Sequence, residues 1–184
     1  MKTQNQTMLS ENTLTSRPTD IIAGFPVRPG FFELNGATPL SNGVNFTTHT
    51  RHGTSCELLL FHSGEEEPFA VLPFPNACRI GDVYSMIVMG LDIEDLEYGY
   101  RIDGPYEPEK GHIFDKTKVL LDPYAKAVAG QREWGQQKIG SYHARVVRDS
   151  FDWEDMPQST RKISDLIIYE LHVRGFTQDA SSGV

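Results

Sequence analysis

Residues 56–61 read CELLLF, a run of five apolar side chains interrupted by a single glutamate. An apolar run of this length that is bounded by turn residues is typical of a buried β-strand, because a helix needs a longer segment with a period of 3.6 residues. Ser63 and Gly64 follow the run and supply the turn. The segment therefore predicts a strand in the core of a β-sheet protein.

Four further segments around this run have the character of strands. They are residues 44–48, 69–74, 83–89 and 98–102, which read VNFTT, FAVLPF, VYSMIVM and YGYRI. Turn residues separate them, including Ser41-Asn42-Gly43 and Gly81-Asp82. Short strands with such turns predict a mainly β protein, with an antiparallel β-sandwich of the immunoglobulin-like kind over residues 21–104.

The ends of this sandwich are set by changes in composition. Residues 1–20 are polar and without periodicity, which predicts a disordered tail. The sandwich module and a junction then extend over residues 21–130. Near the end of the junction Asp122 can cap a short helix, Pro123 fits its first position and Gly130 can end it.

The last third of the chain has a different character. Residues 131–164 are polar and of mixed charge, which predicts an extended linker anchored by Trp134 and Trp153. Residues 165–177 then read DLIIYELHVRGFT. As a strand, this segment has two faces formed by alternate residues. One face is apolar and consists of Ile167, Tyr169, Leu171 and Val173. The other face carries charge and consists of Ile168, Glu170, His172 and Arg174. Such a strand needs an enclosed polar network on its second face, as the interior of a barrel can supply.

Charge and cysteine content limit the class of partner. The 184 residues contain 17 Lys and Arg and 25 Asp and Glu, so the net charge is −8. This sign disfavours nucleic acid and anionic membrane surfaces, whereas a neutral ligand such as a sugar is compatible with it. Cys56 and Cys78 lie in apolar surroundings, which predicts reduced core thiols. Without a signal peptide or a membrane span, we expect a cytoplasmic protein.

Candidate chemical sites in the sequence are weak. His49 and His52 have a spacing that suits zinc, but no carboxylate or thiol stands at ligand spacing, so loop histidines are the favoured interpretation. Glu170 and His172 point the same way on one strand as an acid–base pair would, and a buried structural pair is favoured. The sequence has no nucleophile elbow, P-loop or dinucleotide fingerprint. We therefore expect no metal and no cofactor.

Two longer motifs carry a family resemblance. The segment IYELHVRGFT, residues 168–177, resembles the first barrel strand of the α-amylase superfamily of glycoside hydrolases, in the isoamylase and glycogen-debranching branch. Residues 98–128, YGYRIDGPYEPEKGHIFDKTKVLLDPYAKAV, are similar to the junction between the N-terminal module and the barrel of these enzymes. The sequence departs from the family at Tyr84, where debranching enzymes commonly carry tryptophan.

The resemblance implies that residues 165–184 are the first strand of an incomplete (β/α)8 barrel, a fold that takes about 250 residues. In the resembled family the nucleophile Asp, the acid/base Glu and a second Asp follow the fourth, fifth and seventh barrel strands. None of these strands lies within the 184 residues. The resemblance therefore implies that this chain contains none of the catalytic residues.

The implied function is that of an N-terminal portion of a glycogen debranching enzyme, which hydrolyses α-1,6 linkages in glycogen or a related α-glucan. The alternative is a module that binds α-glucan or braces a barrel without catalysis. Aromatic faces bind sugars in such modules. Tyr84 and Tyr106 are the candidate substrate-binding residues.

Overall fold

A computed structural model describes residues 17–130, 142–148, 152, 154, 160–172 and 175–183. The chain divides into two compact units, Met1–Asp149 and Ser150–Val184. The described residues of the first unit form thirteen strands. They are β1 (Asp20–Ile22), β2 (Phe25–Pro29), β3 (Gly36–Leu40), β4 (Gly43–His49), β5 (Ser55–His62), β6 (Ala70–Pro73), β7 (Arg79–Ile80), β8 (Val83–Met89), β9 (Leu96–Asp103), β10 (Tyr106–Glu107), β11 (His112–Ile113), β12 (Ala127–Ala129) and β13 (His143–Arg145).

The strands form two main antiparallel sheets and one small one. The first sheet has the order β1-β2-β8-β4-β3, with β7 also paired to β8. The second sheet has the order β12-β13-β9-β5-β6, and β10 and β11 form a two-stranded hairpin. Short 3-10 turns lie at Asn76–Cys78 and Pro108–Lys110.

Both main sheets contribute side chains to one apolar core. Alternate residues of β4 and β8, such as Phe46 and Met86, meet alternate residues of β5 and β9, such as Leu58 and Tyr98. The rings of Phe46 and Tyr98 pack edge to face with their centroids 5.1 Å apart. The five strands predicted within residues 21–104 all form, and the predicted β-sandwich is confirmed.

The helix predicted after Asp122 does not form, and that prediction was wrong. The Asp122 side chain accepts a hydrogen bond from the backbone N–H of Tyr124 at 2.9 Å and another from the Tyr98 hydroxyl at 2.7 Å. Asp122 is thus held against the core, and Ala127–Ala129 extends along β13 as an edge strand. An Asp-Pro pair starts a turn as readily as a helix, because the same side-chain acceptor serves both.

Two predicted segments contain strands that the sequence did not indicate. Asp20, placed in the tail, begins β1 and pairs with Val27. His143–Arg145, inside the predicted linker, forms β13 and pairs with β9. Residues 1–16 and 131–141, with Trp134 and Trp153, lie outside the described residues.

In the second unit, the described residues 166–172 form no strand, so the predicted barrel strand is not formed in this chain. Ile167 is 89% exposed and Tyr169 is 88% exposed. A strand needs a neighbour for its backbone hydrogen bonds, and none of the described residues of this unit supplies one. Glu170 and His172 are exposed, so the buried pair expected for them is also not formed, and His172 Nδ1 accepts a hydrogen bond from the Gly175 backbone at 2.8 Å.

Candidate functional site

Tyr84, the first candidate for substrate binding, lies in the core of the sandwich. It is only 2% exposed, with its ring against Phe74 and the guanidinium of Arg79, which lies 4.9 Å from the ring centre. The phenol hydroxyl donates to the Gly53 carbonyl oxygen at 3.4 Å. Burial is the main cause that raises its pKa above the ordinary value. Neither face of the ring is open to a ligand.

Tyr106, the second candidate, lies at the surface on the β10–β11 hairpin. Its side chain is 72% exposed and stands opposite Ile113, which is also exposed. Gly111 closes the hairpin with a φ of 81°, a conformation that glycine adopts at little cost. Tyr106 and Ile113 therefore present a small apolar surface at one end of the sandwich.

A groove opens at the other end of the sandwich. The pairing of β5 with β9 places Ser55 opposite Asp103 near the Tyr106 hairpin and His62 opposite Leu96 at the far end. At that far end, the start of β2 meets the β5–β6 and β8–β9 connections around a cavity of about 260 Å³. We call it the aromatic groove, and its walls are Phe25, His62, Phe69, Gly90, Leu91, Asp92, Asp95 and Leu96.

Three rings form one wall of the aromatic groove. The rings of His62 and Phe69 are 4.4 Å apart between centroids at an angle of 30°, and the ring of Phe25 lies 6.2 Å from that of Phe69. Phe69 remains 41% exposed. A phenylalanine with so much ring surface in water, beside two other rings, is available to pack against a ligand.

Two carboxylates form the polar rim of the groove. Asp95 Oδ1 accepts a hydrogen bond from the Ser63 backbone N–H at 3.0 Å, and Asp95 Oδ2 lies 2.8 Å from His62 Nδ1. The Ser63 N–H, followed by the His62 ring, lowers the pKa of Asp95 below its ordinary value. Asp92 accepts from the Glu94 N–H at 3.1 Å. Asp95 is therefore an ionised, oriented acceptor beside the aromatic wall.

A buried network supports the loop that carries His62. Glu97 Oε1 accepts hydrogen bonds from Ser63 Oγ at 3.2 Å and from the Gly64 backbone N–H at 3.0 Å. Glu97 Oε2 lies 3.1 Å from His143 Nδ1, and the ring of His143 stacks on Phe61. The first residues after β5 are thereby fixed to β9 and β13.

The groups that line the aromatic groove do not indicate a metal site. In the described part of the chain, no group of three or more His, Cys, Asp or Glu residues is arranged to hold a metal ion. His52, one of the zinc candidates, packs its ring instead against His112, with the centroids 4.5 Å apart. Aromatic rings beside carboxylate acceptors are the groups that recognise a ligand with both apolar faces and hydrogen-bond donors.

The sequence did not indicate the groove, because its wall is assembled from distant segments. Phe25, the β5–β6 connection with His62 and Phe69, and Asp95 belong to three separate stretches of chain. The β5–β9 register brings His62 close to Asp95, and the start of β2 adds Phe25. A possible local signal was the exposed aromatic Phe69 immediately before β6, in a position that alternation would turn away from the core. Of the two tyrosines singled out from the sequence, only Tyr106 is placed at a surface.

The sandwich belongs to a known class of domain. Residues 35–125 match the family described as Carbohydrate-binding module 48 (Isoamylase N-terminal domain). This segment, which includes β3 to β11, is therefore a module of that family. Among the described residues no helix is long and apolar enough to cross a lipid bilayer.

Isoamylases and glycogen debranching enzymes are among the relatives of the chain. Isoamylase 1, chloroplastic, of Arabidopsis thaliana is 35% identical over 81% of this chain and 20% of that protein. The glycogen debranching enzyme of Salmonella typhi is 35% identical over 78% of this chain and 23% of that protein. The chain thus spans about a fifth of the length of these curated relatives. The solved structure of a type I pullulanase from Bacillus subtilis, complexed with maltose, covers 70% of this chain and 15% of its own, at 19% identity and a TM-score of 0.47.

Proposed function

We propose that this chain is the N-terminal part of a glycogen debranching enzyme, an enzyme that hydrolyses α-1,6 branch linkages in glycogen or a related α-glucan. The observation that carries the proposal is the alignment with isoamylases and glycogen debranching enzymes, which includes the isoamylase N-terminal domain and about a fifth of each relative. The segment IYELHVRGFT supports it, because it resembles the first barrel strand of the same enzymes.

In this proposal the chain alone does not hydrolyse glucan. A retaining glycosidase needs two carboxyl groups about 5 to 5.5 Å apart on either side of the scissile bond. In the resembled family these groups follow barrel strands later than the one that residues 165–184 resemble. Glu170, on that first strand, has no catalytic role in this assignment.

The test is the release of reducing ends from glycogen and pullulan. The purified chain of 184 residues is compared with a longer protein in which it is followed by a complete barrel, supplied by the coding sequence downstream of it or by a debranching relative. We expect hydrolysis by the longer protein and none by the chain. Hydrolysis that stays with the purified chain through successive columns would contradict the assignment, as would a longer protein that binds glucan and leaves α-1,6 linkages intact.

A second candidate function is α-glucan binding by the sandwich without catalysis. Two observations favour it: the match to a carbohydrate-binding module and the exposure of Tyr106 beside Ile113. An exposed tyrosine ring offers an apolar face to a sugar and a hydroxyl to its oxygens. Binding of maltoheptaose that weakens severalfold in Tyr106→Ser would support this role, and unchanged binding in that variant would remove Tyr106 from it.

A further inference from the structure

We propose that the aromatic groove is an α-glucan binding site, in which Phe69 and His62 pack against a glucose ring and Asp92 and Asp95 accept hydrogen bonds from its hydroxyls. The proposal rests on the assignment of the chain to an enzyme that acts on α-glucan, and it adds a site at the end of the sandwich opposite Tyr106. The ligand segment is one or two glucose units, because the groove holds about 260 Å³, close to the lower limit of small-molecule sites.

The aromatic wall suits the apolar face of a pyranose. A glucose ring has C–H groups on its faces and hydroxyls around its edge, so it packs flat on an aromatic surface while its rim stays polar. The Phe69 ring packs against His62 and Phe25, and 41% of the residue is still exposed to solvent. A ring already fixed by its neighbours loses little side-chain entropy when a ligand covers it.

The rim favours a ligand with hydrogen-bond donors and disfavours an anion. Ionised carboxylates are acceptors only, and sugar hydroxyls are donors that match them. Asp95 is oriented by Ser63 and His62 before any ligand arrives, and Asp92 is oriented by the Glu94 N–H. Two negative groups at one rim repel phosphates and other anions. A neutral glucan satisfies both the wall and the rim.

The groove is also built on the rigid part of the sandwich. His62 ends β5, Leu96 begins β9, and the two residues are paired in the sheet. Glu97 accepts hydrogen bonds from the Ser63 hydroxyl and the Gly64 backbone N–H, which fixes the chain immediately after His62. The wall and the rim therefore keep their spacing without a ligand, which is the condition for a preformed site.

The experiment is a titration of the 15N-labelled chain of 184 residues with maltoheptaose, followed by amide chemical shifts. We expect saturable shifts at His62, Ser63 and residues 90–96. Phe69→Leu and Asp92→Asn should each weaken this response at least tenfold. Ile80→Ser is the control: Ile80 is an exposed apolar side chain on β7 that does not line the groove, so this variant should leave the response within twofold. Phe69→Leu keeps an apolar side chain at an exposed position, and the unperturbed amides of β4 and β8 report whether each variant is folded.

Four results would overturn glucan binding in the groove, and a fifth would overturn its preference for α-linked glucan. They are no saturable shift with maltoheptaose up to 10 mM, shifts confined to the Tyr106 hairpin, a full response in Phe69→Leu, or a stronger response of the groove to trilysine than to maltoheptaose. The last result would make the groove a site for cationic peptide segments. Each of these leaves the debranching assignment standing, because hydrolysis by the longer protein tests that assignment separately. A response to cellohexaose equal to that of maltoheptaose would also contradict the preference for α-linked glucan.

Discussion

His143 Nδ1 lies 3.1 Å from Glu97 Oε2, and these two side chains are only 5% and 3% exposed. The contact joins β13, a strand that sequence patterns did not indicate, to β9 in the middle of the second sheet. Because Glu97 also accepts hydrogen bonds from Ser63 and Gly64, one carboxylate fixes two strands and the loop that begins the aromatic groove. A buried polar group with all its contacts made in this way specifies one arrangement of the strands.

Removal of His143 should therefore destabilise the sandwich strongly. In His143→Ala the Glu97 carboxylate stays buried without its ring partner, and the stacking on Phe61 is lost, so we expect the free energy of unfolding to fall by about 3 kcal/mol. Urea unfolding followed by circular dichroism measures this loss.

The matched control is His62→Ala. His62 makes the same kind of contact with Asp95, at 2.8 Å, but both side chains are more than half exposed. Water replaces such a contact readily, so the loss should be much smaller than that of His143→Ala. Equal losses for the two variants would contradict the role assigned to burial.

Two neighbouring tyrosines should respond in opposite ways to loss of the hydroxyl. The Tyr98 hydroxyl donates to Asp122, whereas the buried Tyr100 hydroxyl has no hydrogen-bond partner among the described residues. Tyr98→Phe should lower the free energy of unfolding by about 1 to 3 kcal/mol, because it removes a donor from a buried carboxylate. Tyr100→Phe should leave it unchanged or raise it by up to about 1 kcal/mol, because it removes an unsatisfied polar group.

The same urea unfolding experiment compares the pair. Both tyrosines are buried in the same core. Each variant therefore controls for the general effect of replacing a buried tyrosine by phenylalanine, and the two differ only in the hydrogen bond of the hydroxyl. A loss in Tyr100→Phe as large as that in Tyr98→Phe would mean that the Tyr100 hydroxyl has a bonding partner and that the prediction is wrong.

The sheet pattern was predictable from sequence because its signals are local. In β4 the residues Val44 and Phe46 face the core and alternate with the polar residues Asn45 and Thr47, which is the two-residue period of a strand. Ala127–Ala129 and His143–Arg145 are too short for a period to be visible. His143–Arg145 becomes a strand by pairing with the edge of β9, and Ala127–Ala129 then pairs with His143–Arg145. Tertiary pairing, rather than local preference, decides such segments.

The sites were less predictable because they depend on which face a residue occupies. The sequence alone does not distinguish Tyr84 from Tyr106, because both are tyrosines near apolar segments. In the structure, Tyr84 pairs with Thr48 of β4 and its side chain enters the core. Tyr106 lies on the β10–β11 hairpin at the surface. A shift of one residue in the β4–β8 register would exchange the faces of β8. The aromatic groove likewise depends on register and loop closure, which a single sequence does not report.

Asp122 should make the sandwich more stable as the pH falls. Burial is the largest cause that raises the pKa of Asp122, and it outweighs the opposing hydrogen bonds from the Tyr124 N–H and the Tyr98 hydroxyl. The folded state therefore holds the proton more tightly than the unfolded chain does. The contribution of this group is fully present below the unfolded pKa of about 3.9 and is lost as the pH rises through the folded pKa.

A comparison with Asp122→Asn isolates this contribution, because asparagine does not titrate. We expect the free energy of unfolding of the wild type, minus that of the variant, to increase as the pH is lowered from 7 to 4. Asp115→Asn is the control with the opposite sign, since the Thr117 hydroxyl and backbone N–H lower the pKa of Asp115. For Asp115, the free energy of unfolding of the wild type minus that of Asp115→Asn should become smaller as the pH falls toward and below 4. If this difference changed with pH in the same direction for Asp122 and Asp115, the raised pKa of Asp122 would be refuted.

The two cysteines are expected to be unreactive in the folded protein. Cys56 and Cys78 are free and buried, as the sequence predicted. Burial is the main cause that raises both thiol pKa values, that of Cys78 to about 11 and that of Cys56 further. The thiolate is the reactive form, so at pH 8 Cys78 should react with Ellman's reagent at least about 100-fold more slowly than an ordinary thiol with a pKa of about 8.5.

Single variants separate the two thiols. Cys78 ends the 3-10 turn Asn76–Cys78, whereas Cys56 lies within β5 and is paired with Ile102. Local opening of the turn should expose Cys78 first, so Cys56→Ser should be labelled faster in low urea than Cys78→Ser, in which only Cys56 remains. In denaturing urea both variants should react fully and at similar rates. Rapid labelling of Cys78→Ser in native buffer would show that Cys56 is reached without global unfolding and would contradict its place in the core.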